Sequence, residues 1–329
     1  MKTFHKRRLI FVVVLVFSLL VSLVACSDTT QENQDNKDLK ENLPKFSVNF
    51  IDVDDGECIL IKTKDDKCML IDTGLKSTYQ SLKTKLSELN VTAVDYLVLT
   101  NPSSEHVGAT PDLLNDFTVK LAYIPKILDT SIFPSFSNSI KALQSNNVQT
   151  KISYANEYLT IDGCHICFLS PTKELNGAYS ELNQEFSPNK YQIGNVSPII
   201  YLEYNSVKFI FTGDADKTQE NIVINNYKSN VYKNSFSYYG LNLNLENVDF
   251  LKVSSGGDSN ATSSEFLELI NPKNAVISVS SRNPNYPSSS VISRIINGRE
   301  NYGLYRTDIS GTVSVYVEDT GEYLIKTQK

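Results

Sequence analysis

The chain has 329 residues, 41% of them apolar, which is enough for a sizeable core and too many for a disordered polypeptide. Its formal charge is −6; four of its 31 lysines and arginines (Lys2, Lys6, Arg7 and Arg8) precede Cys26, leaving 27 against 37 acids from there on. Neutralisation of phosphates by basic side chains supplies most non-specific nucleic-acid affinity, so this balance argues against strong binding to DNA or RNA.

Residues 1–25 have the layout of a secretory signal. Lys2 to Arg8 are basic, Leu9 to Ala25 are apolar, and the stretch closes on Leu23-Val24-Ala25-Cys26. That ending looks like a bacterial lipobox, which would make Cys26 the lipidated first residue of the mature chain. An uncleaved helix is the alternative, although a stretch of 17 residues is at the short limit for spanning a bilayer. Either way the remainder is expected at the extracytoplasmic face of a membrane. Residues 26–44 are polar, lack aromatics and read as a disordered tether of roughly 25 Å reach.

The folded domain is expected over residues 45–329. Phe46 to Val53, Cys58 to Lys62 and Cys68 to Ile71 alternate or run apolar and read as a three-strand meander. Ser77 to Leu89 has helical spacing at Leu82, Leu86 and Leu89. Val94 to Leu99 is a buried strand, Pro111 to Phe117 a short helix, Val119 to Tyr123 a strand and Ser135 to Ser145 a helix. Lys151 to Leu169 supplies edge strands, whereas Leu175 to Gln192 shows no periodicity.

Pro198 to Glu203 and Val207 to Phe211 form a hairpin about Asn205-Ser206, followed by a helix over Lys217 to Asn225. The stretch Tyr227 to Asn247 is rich in Tyr, Asn and Ser, a composition that suits either a contact surface or a plain surface loop. Val248 to Val253 and Ala275 to Val279 are strands; Ser263 to Ile270 and Val291 to Ile296 are helices. Thr312 to Val317 and Tyr323 to Lys326 close the chain as a hairpin. Strands and helices recur in two halves, each with a polar loop after a strand, so the expected class is α/β: a four-layer αββα sandwich with a site at one edge.

Cys58, Cys68, Cys164 and Cys167 fall inside strand-like runs without a regular framework, and no second ligand pair accompanies Cys164 and Cys167 for zinc. Buried free thiols are the simpler expectation.

The segment Tyr96 to Ala109, YLVLTNPSSEHVGA, is where the chemistry should gather: a buried strand that stops and hands polar residues to a loop. With FIDVDDGECILI, MLIDTG, FIFTGDAD, FLKVSSGG and AVISVSSRNPNYP in the same order, it resembles the metallo-β-lactamase fold. The nearest likeness is to the nuclease-like domains of the ComEC/Rec2 DNA-uptake family. The resemblance covers about Phe46 to Lys326 and implies the sandwich fold and a two-metal hydrolytic site.

Carried over residue by residue, it retains little of that site. Glu105, His106 and Asp214 keep or conservatively replace family metal ligands, with Asp258 as a possible fourth. Asn101, Ser103, Ser255 and Tyr286 stand where the family has ligands. Asp72 would orient the ligand loop from behind, and Glu57 is a like-for-like acid in the same supporting role. After export only His106 and His165 remain as imidazoles, and a binuclear centre needs more.

Two functions follow as expectations. One is a non-catalytic lipoprotein that binds a protein or small molecule through the former active-site cleft. The other is a phosphodiesterase or nuclease using one weakly held divalent ion, Mn or Zn, with His106 and Asp214 as the catalytic residues. The cofactor is accordingly none or that single ion, and Cys26 supplies the membrane contact.

Overall fold

A computed structural model describes residues 43–127, 129–173, 193–297 and 302–329. The signal segment, Cys26, nearly all of the tether and the stretch from Leu175 to Gln192 lie outside the described residues. Lys45–Lys329 forms one compact unit. Among the described residues no helix is long and apolar enough to cross a membrane.

The chain runs β1 (Phe46–Phe50), β2 (Ile59–Lys62), β3 (Cys68–Ile71), α1 (Tyr79–Glu88), β4 (Ala93–Val98), α2 (Ser104–Val107), α3 (Thr110–Asp116), β5 (Thr118–Ile124), α4 (Pro134–Ser145) and β6 (Gln149–Ile152). It continues β7 (Tyr158–Ile161), β8 (Cys164–Phe168), β9 (Ile200–Tyr204), β10 (Val207–Phe211), α5 (Lys217–Lys228), α6 (Val231–Ser237), β11 (Phe250–Lys252), α7 (Ser264–Ile270) and β12 (Asn274–Ile277). The last elements are α8 (Ser289–Ile296), β13 (Gly303–Arg306), α9 (Thr307–Ser310), β14 (Val313–Val317) and β15 (Tyr323–Thr327).

Two sheets result, ordered β15-β14-β1-β2-β3-β4-β5-β6 and β13-β12-β11-β10-β9-β8-β7. β14 leaves the second half to pair with β1, and β15 pairs with β14 as the edge strand of the first sheet. From β3 to β6, and again from β10 to β13, neighbouring strands are parallel.

The period of two in the strands decides the layers. Phe46, Val48, Phe50, Ile59 and Ile61 of the first sheet meet Ile166, Phe168, Leu202, Phe209 and Phe250 of the second in a core between the sheets. Their alternates, Leu60 and Leu70, pack outward with Leu82, Leu86, Leu113 and Leu143 of α1, α3 and α4. On the other side Tyr201, Ile210 and Leu251 pack against Val223, Phe266 and Ile295 of α5, α7 and α8. Strands buried on both faces and helices outside give the four αββα layers. The four cysteines are buried free thiols, and burial pushes the Cys68 thiol up to about 11.

Elements absent from the sequence reading include α2, α6, α9 and β13. Residues Val231–Ser237 form a helix because Tyr232 and Phe236, four apart, insert together into the outer core. The Tyr232 hydroxyl there donates to the Leu169 carbonyl at 2.6 Å. The stretch from Tyr227 to Asn247 is thus largely packed structure, with Tyr238 its most exposed aromatic at 87%. Gly303–Arg306 adds a parallel edge strand beside β12.

Candidate functional site

Every loop of the site leaves the carboxyl end of a parallel strand or lies beside one, the usual place for chemistry in an open α/β sheet. Asp72 follows β3, Thr100 to His106 follow β4, Asp214 follows β10, Ser255 follows β11, and Ser278 to Tyr286 follow β12. Glu57 comes from the β1–β2 connection, whose Gly56 lies so close to the site loop that a Cβ would meet the Glu105 carbonyl at 2.8 Å. The cleft between them has a volume of about 110 Å³.

Asp72 is the anchor of the first loop. It is fully buried, sits at φ 60°, and accepts the Thr100 N–H at 2.7 Å and the Thr100 hydroxyl at 2.6 Å. His106 Nδ1 donates to the same carboxylate at 2.7 Å. The other ring nitrogen, Nε2, donates to Asp214 Oδ2 at 3.1 Å. Two carboxylate acceptors require a proton on each nitrogen, which makes the ring an imidazolium. Burial opposes that charge, but Asp214 and Asp72 outweigh it and hold His106 well above its ordinary 6.5.

Glu57 and Lys252 form a buried ion pair at the base of the cleft. The Lys252 ammonium donates to Glu57 Oε2 and, at 2.9 Å, to the Gly213 carbonyl. Both side chains are within 4% of complete burial. Burial pushes the Glu57 carboxyl up from the usual range, against the pull of Lys252. Lys252 had no assigned role in the sequence, yet a lysine inside the apolar run Phe250 to Val253 is itself a signal, because buried lysines need a partner.

Glu57, His106 and Asp214 bring donor atoms within 4.8 Å of one another. The carboxylate gathered with His106 and Asp214 is therefore Glu57, placed by sequence in a supporting role. Glu105 is exposed, accepts from the Ser104 hydroxyl at 3.1 Å, and lines the mouth of the cleft. Asp258 accepts the Tyr286 hydroxyl at 3.1 Å and the Asn260 N–H at 2.9 Å. His165 lies on β8 with its Nδ1 2.7 Å from the Tyr158 hydroxyl, apart from this group.

The substituted positions have taken up structural work. Asn101 Oδ1 accepts the Ser103 N–H at 2.9 Å, and its Nδ2 donates to Asp214 Oδ2 at 3.2 Å. The Ser103 hydroxyl also donates to Asn101. Ser255, at φ 50°, donates its hydroxyl to the Asp214 carbonyl at 3.3 Å. These residues do not fit a two-metal centre: the amide and hydroxyl groups are neutral, already bonded, and poor ligands beside imidazole or carboxylate. Glu57, His106 and Asp214 fit one ion at most, which would share the floor of the cleft with the Lys252 ammonium.

Comparison with known proteins agrees with the architecture. Residues 51–144 match the metallo-beta-lactamase superfamily model. Over 283 residues, 81% of this chain, the sequence is 24% identical to ComE operon protein 3 of Bacillus subtilis (strain 168). That alignment takes in 32% of the relative, so the chain spans about a third of its length. Among solved structures, the metallo-beta-lactamase fold protein YhfI from Bacillus subtilis is 11% identical with a TM-score of 0.44, over 85% of this chain and 99% of that one. CmlA, a diiron beta-hydroxylase from Streptomyces venezuelae, is 10% identical with a TM-score of 0.48, over 83% of this chain and 54% of that one. The chain carries a metallo-beta-lactamase superfamily domain and is related, over most of its length, to ComE operon protein 3.

Proposed function

We propose that the chain is an exported, lipid-anchored protein whose metallo-beta-lactamase domain binds a ligand or partner in its cleft and does not hydrolyse phosphodiesters. The observation that carries this reading is that polar side chains around the cleft are neutral and already hydrogen-bonded within the protein, Asn101 to Ser103 and Asp214, and Ser255 to the Asp214 carbonyl. Asn101, Ser103, Ser255 and Tyr286 support it further, since neutral side chains at the family's ligand positions leave too few donors for two ions. The anchor rests on the basic stretch, the apolar stretch and Leu23-Val24-Ala25-Cys26.

A second reading is favoured by one observation, the convergence of Glu57, His106 and Asp214 within 4.8 Å. It makes the protein a phosphodiesterase with a single Mn or Zn ion, which when bound would polarise a phosphoryl oxygen and lower the pKa of a water. Asp72 would then orient His106, as it does through Nδ1 in the structure.

Elemental analysis of the purified mature protein, paired with hydrolysis of bis-p-nitrophenyl phosphate in added Mn or Zn, separates the two. Substoichiometric metal and no turnover above background are expected. Stoichiometric metal, lost together with activity in His106→Ala, would overturn the binding reading. Labelling with a fatty-acid analogue, abolished by Cys26→Ala, tests the anchor.

A further inference from the structure

The first sheet ends in an open strand. β15, five residues long, bonds β14 on one side, and no strand follows it on the other among the described residues. The Glu318 N–H donates to the Glu322 carbonyl at 2.8 Å and the Gln328 N–H to the Thr312 carbonyl at 3.0 Å, so the even-numbered residues here face β14. Antiparallel strands alternate in this respect. The N–H and C=O groups of Tyr323, Ile325 and Thr327 therefore point outward, where nothing among the described residues bonds them. Such a row is a template for another strand.

The side chains select the strand that fits. Tyr323 and Ile325 pack on the core between the sheets yet stay partly exposed. Glu322, Leu324 and Lys326 point to the opposite face, with Leu324 46% exposed. An acid, an apolar residue and a base at alternate positions are their own complement when the direction is reversed. Laid antiparallel on a copy of itself with Leu324 opposite Leu324, the strand sets Glu322 across from Lys326 of the other copy, and Tyr323 across from Ile325. The backbone accepts the same register. Tyr323 and Ile325, with outward N–H and C=O groups, become the hydrogen-bonded pair, while the leucines and the ion pairs fall at the closer, non-hydrogen-bonded positions. A slip of one residue would set outward-facing groups against inward-facing ones. The far edge of the sheet lacks this property: β6 reads Gln149-Thr150-Lys151-Ile152, and no acid lies within it to face the lysine.

We infer that the protein pairs with a second copy of this chain through β15, in a twofold antiparallel contact centred on Leu324 that joins the two eight-stranded sheets into one. The contact covers the partly exposed Tyr323 and Ile325 and removes both free edges at once. It is small beside the roughly 1,200–2,000 Å² of stable interfaces, so the dimer is a weak one that fills only at high protein concentration.

The test is the mass of the purified full chain in detergent, by sedimentation equilibrium at high micromolar concentration. A dimer is expected. Lys326→Glu should leave a monomer, because two acids then face each other at both ends of the contact. Glu322→Lys combined with Lys326→Glu should restore the dimer, since it rebuilds each pair with its ends exchanged. Glu322 is exposed and Lys326 half-buried, so both variants should fold, which circular dichroism checks. Mild oxidation gives a second readout. Cα atoms of a non-hydrogen-bonded pair stand about 4.5 Å apart, within the span of a disulfide. Leu324→Cys should therefore cross-link two copies above the level of the unaltered chain, and Lys326→Cys should not. A monomeric unaltered chain, a dimer that persists in Lys326→Glu, a charge exchange that stays monomeric, or cross-linking through Lys326→Cys in place of Leu324→Cys would each overturn the inference.

Discussion

The loop after β4 and the loop after β11 face each other across one cleft, and they have changed in different ways. The first keeps its scaffold: Asp72, Thr100 and His106 form a buried hydrogen-bonded cluster, and Asn101 is wired to Ser103 and Asp214. The second keeps only its backbone path. Ser255, Gly256 and Gly257 all stand at positive φ, the shape of a loop that brings side chains into a site, yet it brings a hydroxyl and two hydrogens. Backbone geometry is set by glycines and hydrogen bonds, whereas ligand capacity is set by side chains. A fold can therefore preserve the first after changing the second.

If this contrast is right, the cleft floor should behave as internal structure. The largest expected effect is from Glu57→Leu, which strands the Lys252 charge and should cost about 3–5 kcal/mol in urea denaturation. Glu57→Leu with Lys252→Met should recover most of that loss. Next is Asp72→Ala, which removes the acceptor for Thr100 and His106 and should cost about 3 kcal/mol. Thr100→Val, which removes one of those bonds, should cost less than half as much.

The third expectation concerns pH. His106 is raised in the folded state, so its contribution to stability is complete below the unfolded value near 6.5 and is lost as pH rises through the folded value. In EDTA-stripped protein, unfolding free energy should decline above about pH 6.5, and His106→Gln should remove that decline. The smallest effect is in the second loop. Ser255→Gly relieves a left-handed residue at φ 50° and should raise stability by less than ~1 kcal/mol, net of the unfolded-state entropy that glycine adds. A loss larger than this would mean the Ser255 hydroxyl matters more than its 3.3 Å bond suggests.

Much of the fold was legible because its strands are long apolar or alternating runs, and the six ordered segments fixed their pairing in outline. Asp72, His106 and Asp214 were legible as polar residues that end such runs. The role of Glu57 was not, because only the approach of the β1–β2 connection at Gly56 carries it under the loop. Lys252 was hidden by the same logic: its partner is 195 residues away in sequence. The helix at Val231–Ser237 was not legible because Tyr, Asn and Ser are weak helix formers, and tertiary burial of Tyr232 and Phe236 overrides them.

Asn101 leaves the β4 end of one sheet and donates to Asp214 at the β10 end of the other. A neutral amide thus rivets the two halves at the rim, where an ion would otherwise be the clasp. Such a joint is indifferent to how much zinc or manganese the surroundings hold. The width of the cleft is thereby held whatever the metal supply, and EDTA should leave the melting temperature where it was.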